Sequence, residues 1–225
     1  LVIAGFEDGI HNKAQLDEET VKTQLQALDK AASEKMATKA KEEADKNKAA
    51  GEKYLAENAK KDGVKVTKSG LQYEVLKEGT GEHPKATDRV TVNYKGTLTD
   101  GTQFDSSEGR EPLEFQVGSG QIISGLDREV EGMKVGDKQT VTVPAEEAYG
   151  AHDPAKVQQV PRSALPPELE PQEGMQLQAQ TPQGGQVALM ITSVGEQEIT
   201  VDANHPLAGK DLVFDIEMVE ILQAA

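Results

Sequence analysis

One stretch constrains this chain more than any other: Val90 to Ser107, reading VTVNYKGTLTDGTQFDSS. Val90, Val92 and Tyr94 fall at every second position, the pattern of a strand with one buried face. Asp100-Gly101 predicts a tight hairpin, because a primed turn needs positive φ and Gly adopts it at little cost. The return ends in Phe104-Asp105. A tyrosine and a Phe-Asp pair are therefore expected on rigid strands, in a fold built around a β-sheet with an apolar face.

Other short segments obey the same rule. Gly70 to Leu76 alternates with Leu71, Tyr73 and Val75 inward, and Pro112 to Val117 alternates again. Gln121 to Leu126 leads into a short helix ending near Gly132. Gln139 to Val143 and Leu212 to Val219 are further strands. Antiparallel strands wrapped on one short helix make an α+β half-barrel. Aromatics are few and tryptophan is absent, so Val, Ile, Leu and Met must fill the core.

A net charge of −15 argues against a nucleic-acid partner and suits a soluble surface. The absence of cysteine excludes thiol catalysis, zinc-thiolate sites and disulfides. No apolar run reaches the roughly 20 residues that span a bilayer.

Upstream the chain changes character. Leu1, Val2, Ile3 and Phe6 form an apolar opening that Gly9 is placed to end. Its burial calls for a dimer contact or for packing on the next helix. The opening LVIAGFEDGI has no polar lead-in and reads as the inside of a helix, so a targeting signal is expected to have preceded it. At Leu16-Asp17-Glu18-Glu19-Thr20-Val21 a helix starts: Asp17 caps, acids fill the first turn, and Leu16 staples onto Val21. Val21, Leu25, Leu28 and Ala32 continue one apolar stripe, which fades after Met36. Ala37 to Lys53 is made of helix formers with nothing to bury, its Glu and Lys three or four apart. The expectation is one helix ending at Asp62-Gly63, about 65 Å long if continuous. Gly51 is its weak point, at about 1 kcal/mol against Ala. A disordered charged linker over Ala37 to Lys53 is the alternative.

About 55 residues separate Tyr149-Gly150 from the last strand, too many for a structureless loop. Within them Gly174 to Ala179 alternates, Pro182-Gln183-Gly184-Gly185 turns, and Val187, Leu189 and Ile191 share a strand face opposite Ala188 and Met190. Ile199-Thr200-Val201 closes a meander. A small separate domain with a thin core is expected, and Met175 and Met190 give it adaptable apolar surface.

Five motifs in order carry a family resemblance. Ser69-Gly70-Leu71-Gln72-Tyr73, Val92-Asn93-Tyr94-Lys95-Gly96, Phe104-Asp105-Ser106-Ser107, Ala148-Tyr149-Gly150 and Leu212-Val213-Phe214-Asp215 resemble the FKBP-type peptidyl-prolyl isomerases. The N-terminal helices resemble the Mip and FkpA type, whose members pair as homodimers through such helices. From Gly109 onward, Gly118 to Leu126 and Leu207-Ala208-Gly209 resemble the SlyD type. The chain thus reads as a composite, an engineered chimera or a natural recombinant, with its seam near Ser107 to Pro112. The domains implied are a helical stalk at 1–63, an isomerase domain at 64–152 and 204–225, and a chaperone insert in the flap at 153–203.

By that resemblance Tyr94, Phe104, Ile122, Ile123, Tyr149 and Phe214 wall a pocket, and Asp105 lies near the reacting amide. The Ile123 N–H and the Tyr149 hydroxyl would hold the substrate carbonyl. Leu113 and Leu126 stand where many members carry aromatics, which weakens the case for tight macrolide binding. The insert would bind unfolded chains through Val157, Val160, Met175, Leu177, Leu189 and Met190. The chemistry implied is rotation of an X-Pro bond, whose barrier is about 18–20 kcal/mol of amide resonance. A dry pocket disfavours the charge-separated planar amide and needs no cofactor.

The partners implied are unfolded or partly folded polypeptides and macrolide inhibitors. SlyD-type members often bind nickel through a His-rich tail, but Ile221-Leu222-Gln223-Ala224-Ala225 carries no His, and no metal is expected. Asn204-His205-Pro206 is expected to order the return loop. The stalk points to the periplasm and the SlyD-like part to the cytoplasm. A holdase without catalysis and a dimeric partner-binding module are the competing readings.

Overall fold

A computed structural model of the chain describes residues 18–166, 169–180, 186–195 and 197–222. Leu1, Val2, Ile3, Phe6, Gly9, Leu16, Asp17 and the turn at 182–185 lie outside these residues, as do the side chains of Val21, Leu25, Leu28, Ala32 and Met36. The chain divides into two compact units. One comprises Glu43–His152 with His205–Ala225, and the other Asp153–Asn204 with the chain up to Glu42.

Helix α1 runs Glu18–Asn58. Between Lys41 and Ala50 its side chains are exposed except for half-buried Ala44, so helix propensity holds this stretch rather than packing. Gly51, expected from its residue type to be a weak point, also has a packing reason. It is buried, and a Cβ there would overlap Oδ2 of Asp211. The other oxygen of Asp211 accepts the Ala145 N–H at 2.9 Å. Gly51 thus lets helix backbone lie against a carboxylate, a close approach that any side chain would block. Two turns on, Asn58 Nδ2 donates to Gln72 Oε1 at 3.0 Å, and Gln72 Nε2 donates to the Leu55 carbonyl at 2.9 Å. Both amide side chains are buried, so each must be bonded. The helix stops at Asn58, short of the expected Asp62, and Gly63 takes φ +91° in the turn that follows.

Strands β1 (Val64–Val66), β2 (Gln72–Lys77), β3 (Arg89–Leu98), β4 (Gln103–Ser106), β5 (Leu113–Gln116), β6 (Lys138–Val143) and β11 (Leu212–Leu222) form one antiparallel sheet. Its order is β1-β2-β6-β11-β3-β4, with β5 also on β3. Helix α2, Ser124–Gly132, packs its Leu126 and Val130 into the same core. That core holds Leu71, Val90, Val92, Phe115, Val141, Val143, Leu212, Phe214, Ile216 and Met218. Val75 departs from expectation at 37 % exposed. The pairing of β2 with β6 shifts register between Val75 and Lys77, which carries the end of β2 off the core.

The β3–β4 turn also differs in kind. Gly101 N–H bonds the Leu98 carbonyl at 2.9 Å, and Leu98 N–H bonds the Thr102 carbonyl at 2.8 Å. Gly101 alone takes positive φ, +88°. This is a type I turn closed by a left-handed Gly, the three-residue hairpin, not a primed two-residue turn. Asp100 Oδ1 accepts the Thr102 N–H at 2.8 Å and sets the bend.

In the other unit β7 (Val157–Pro161), β8 (Gln176–Gln180), β9 (Gln186–Val194) and β10 (Glu198–Asp202) make a four-stranded sheet in the order β7-β10-β9-β8. Its buried core is Ile191, Ile199 and Val201. Asn204 clamps its two ends: Oδ1 accepts the Asp153 N–H at 3.0 Å and Nδ2 donates to the Asp153 carbonyl at 2.9 Å. The amide side chain so replaces a backbone strand pair.

Candidate active site

Strands β3 and β4 put Tyr94 and Asp105 together. The Tyr94 hydroxyl donates to Asp105 Oδ2 at 2.5 Å, and Asp105 Oδ1 accepts the Ser106 N–H at 2.8 Å. Arg110 pairs with Oδ1 at 2.5 Å and also donates to the Ser106 carbonyl. Sequence reading missed Arg110. It follows no periodicity, and it reaches Asp105 because Gly109, at φ +74°, and the Arg110 N–H to Ser107 carbonyl bond fold the chain back. The Tyr94 hydrogen bond, with Arg110 behind it, holds the Asp105 carboxyl below its ordinary range. Burial, then the Asp105 bond, pushes Tyr94 up to about 12. A charge-assisted bond of this kind is short and strong.

Two aromatic rings stand beside this pair. Phe104 and Phe214 meet edge to face with ring centroids 5.7 Å apart, a favoured quadrupole geometry. Tyr94, Phe104, Leu113, Ile122 and Ile123 are half-buried around a core that includes Phe214 and Leu126. Leu126 is 5 % exposed and lies within that core. Leu207, on the return loop, joins the same cluster and was not anticipated.

Ile122 and Ile123 are positioned by the loop ahead of α2. Gly118 and Gly120 take φ +77° and +70°, and their N–H groups bond the buried Asp127 carboxylate at 2.9 and 3.4 Å. Among the described residues the Ile123 N–H meets no acceptor. Glu147 pairs with Arg128 of α2 and accepts from Ser124 Oγ at 3.4 Å.

Tyr149 is 41 % exposed. Burial and then the Asp105 charge raise its pKa, so the phenol stands within electrostatic reach of that carboxylate. Its ring lies flat on His205, centroids 3.6 Å apart and planes at 4°. Burial lowers the His205 pKa, which favours the neutral imidazole.

In the insert unit Val160, Met175, Leu177 and Leu189 pack around Ile191, Ile199 and Val201. Val157 and Met190 stand apart from them. Both pair with Asp202, on one rung of the sheet, and so share the opposite face.

Three comparisons bear on this site. A family model described as FKBP-type peptidyl-prolyl cis-trans isomerase matches residues 80–219. A second, the domain amino terminal to FKBP-type peptidyl-prolyl isomerase, matches residues 1–75. FkpA of Aeromonas hydrophila is 47 % identical over 153 residues, 68 % of this chain and 56 % of that protein. FkpA of Escherichia coli K12 is 39 % identical over 66 % of this chain and 55 % of its own length. SlyD of the same strain is 42 % identical over 135 residues, 60 % of this chain and 68 % of that protein. The alignments thus span little more than half of the FkpA relatives. The crystal structure of FkpA from Escherichia coli superposes with a TM-score of 0.64 at 30 % identity, covering 100 % of this chain and 82 % of that one.

Proposed function

The chain belongs to the FKBP-type peptidyl-prolyl cis-trans isomerase family, and on that premise we propose that it isomerises X-Pro bonds in unfolded or partly folded polypeptides and captures those chains with its insert sheet. The observation that carries the reading is the Tyr94–Asp105 pair set beside the Phe104–Phe214 wall. No bond of the substrate breaks. The prolyl ring enters the apolar walls, where loss of hydration penalises the planar, charge-separated amide more than the twisted one. The Ile123 N–H and the Tyr149 hydroxyl hold the substrate carbonyl, and Asp105 faces the rotating amide. Fixed donors of this kind act without reorganising during the step.

The insert supplies a thin core ringed by half-buried Val160, Met175, Leu177 and Leu189, with Val157 and Met190 on its other face. Apolar surface only partly engaged in its own core suits transient contacts with many chains. Leu113 and Leu126 in place of aromatics make macrolide inhibitors weak ligands. The match over residues 1–75 supports pairing of two copies through the N-terminal helices, and with it periplasmic residence in the manner of the FkpA type. Among the described residues no helix is long and apolar enough to cross a membrane.

The test compares the full chain with one in which a short loop replaces Asp153 to Ala203. Both are assayed for proline-limited refolding of a protein and for isomerisation of a proline tetrapeptide. The deletion is expected to slow refolding several-fold and to spare the tetrapeptide. Equal refolding by both chains removes the capture role; no tetrapeptide turnover by either leaves a holdase.

The charge states also fix a pH response. Asp105 is held ionised below the ordinary carboxylate range and Tyr94 protonated to about 12. Tetrapeptide turnover is therefore expected to be flat from about pH 7 to about pH 10, since an unperturbed tyrosine would titrate near 10. Because the folded pKa of Asp105 is depressed, its share of stability is present above the unfolded carboxylate pKa and is lost as pH falls through the folded one. An alkaline limb beginning at pH 8 or 9 contradicts the bonded pair.

A further inference from the structure

Tyr149 presents a problem of support. It projects from a loop, the residue is 41 % exposed, and its hydroxyl makes no hydrogen bond among the described residues. A side chain so placed has several rotamers open to it, and a donor that must meet a substrate carbonyl gains from being held in one. The loop itself is fixed. Gly150 N–H bonds the Ala145 carbonyl at 2.8 Å, and the Gly150 carbonyl accepts the Gly209 N–H at 2.8 Å. Gly209, at φ +74°, comes within 3.3 Å of His152 by its would-be Cβ, so the return loop lies directly on the loop that carries Tyr149. What remains to be fixed is the phenol ring.

We propose that His205 is the positioning residue for Tyr149: its imidazole, anchored to the return loop, is the platform that holds the phenol hydroxyl in register with the substrate carbonyl. The geometry is specific. The rings are parallel to within 4° at 3.6 Å. The imidazole is itself held, because Nδ1 accepts the Leu207 N–H at 3.1 Å while the His205 carbonyl accepts the Ala208 N–H at 2.8 Å. Leu207 packs into the apolar cluster that walls the pocket. One short loop therefore supplies a wall residue and, two residues earlier, the support for the carbonyl donor. An accepting Nδ1 carries no proton, so the stacked ring is the Nε2-protonated neutral tautomer.

The inference rests on the isomerase reading above, and the experiment separates the two. Tetrapeptide kcat/KM is measured for the parent chain, His205→Ala, His205→Asn and His205→Phe, each alone and with Tyr149→Phe. Thermal unfolding is followed on every variant. His205→Ala is expected to lower kcat/KM three- to tenfold. His205→Asn keeps a side-chain acceptor for the Leu207 N–H but has no ring, and is expected to fall equally. His205→Phe keeps the ring and is expected to recover at least half of the parent rate. In the Tyr149→Phe background all three are expected to change nothing further, because the hydroxyl they position is gone. A plain loop defect would lower the rate by the same factor in both backgrounds, and that result overturns the proposal. So does full activity in His205→Asn, or an inactive His205→Phe that melts with the parent. If His205→Ala fails to fold, His205→Asn and His205→Phe carry the comparison. A parent chain without turnover sinks the isomerase reading, and this inference with it; turnover in the parent that is indifferent to His205 sinks this inference alone.

Discussion

Alanine at Gly96 is expected to cost about 2 kcal/mol of stability and to lower tetrapeptide turnover by about 10- to 100-fold. Gly96 is buried in β3, on the rung that pairs Asp105 on one side and Phe214 on the other. A Cβ there would stand 2.7 Å from Phe104 Cζ, 2.8 Å from its Cε2 and 3.1 Å from Phe214 Cε1. Phe214 is 5 % exposed and fixed in the core, so the half-buried Phe104 must move, and with it the apolar surface proposed above to meet the prolyl ring. The edge-to-face pair opens, which forfeits about 0.5–1.5 kcal/mol. The larger loss is catalytic, since a wall displaced by about 1 Å no longer matches the twisted amide. For a chain of this size the melting temperature should fall by roughly 4–8 °C. Gly132→Ala is the control: its Cβ would meet nothing within 4 Å and its φ is not in the left-handed region. Normal turnover in a folded Gly96→Ala chain would show that Phe104 does not shape the reaction.

That position also marks the limit of what the sequence reveals. The alternation of Val90, Val92 and Tyr94 places the strand and its buried face, because side chains on a strand have a period of two whatever surrounds them. Asp105 and Phe104 are legible as motif residues for the same reason. Gly96 reads only as a member of a motif. Its function is to be empty, and the space it leaves is defined by rings on β4 and β11, the second distant in sequence. Arg110 is hidden differently. A lone cation in a charged loop looks solvated, and only the turn at Gly109 makes it a partner of Asp105. Gly51 reads only as a propensity cost, because propensity sees a helix from inside, whereas its close neighbour is Asp211, far along the chain. His205, legible only as an ordering element of the return loop, turns out to stack on Tyr149. Local rules recover elements and faces; contacts across the sheet decide which small or charged residues matter.

Leucine at Asp105 should leave the domain folded and remove most of its catalysis, with kcat/KM on the tetrapeptide down by about tenfold or more. The size of Leu is close to that of Asp, so the β4 backbone keeps its place. What disappears is the acceptor for three donors: the Tyr94 hydroxyl, the Ser106 N–H and Arg110. The carboxylate is 44 % exposed and Arg110 63 %, so solvent can replace their pairing, and an ion pair this exposed adds little to stability. Tyr94 is more confined. Its hydroxyl loses a strong partner in a half-buried setting, which costs about 1 kcal/mol. The sum is a modest fall in melting temperature against a large fall in rate, and that asymmetry separates a catalytic group from a structural one. Asp105→Asn sharpens the comparison, because it retains an acceptor for Tyr94 but has no charge. If the charge itself biases the amide towards its twisted form, Asn should be nearly as slow as Leu. If Asp105 acts only by orienting the Tyr94 ring, Asn should restore most of the rate. Turnover unchanged in both folded variants removes Asp105 from the site and leaves the apolar walls to carry the chemistry alone.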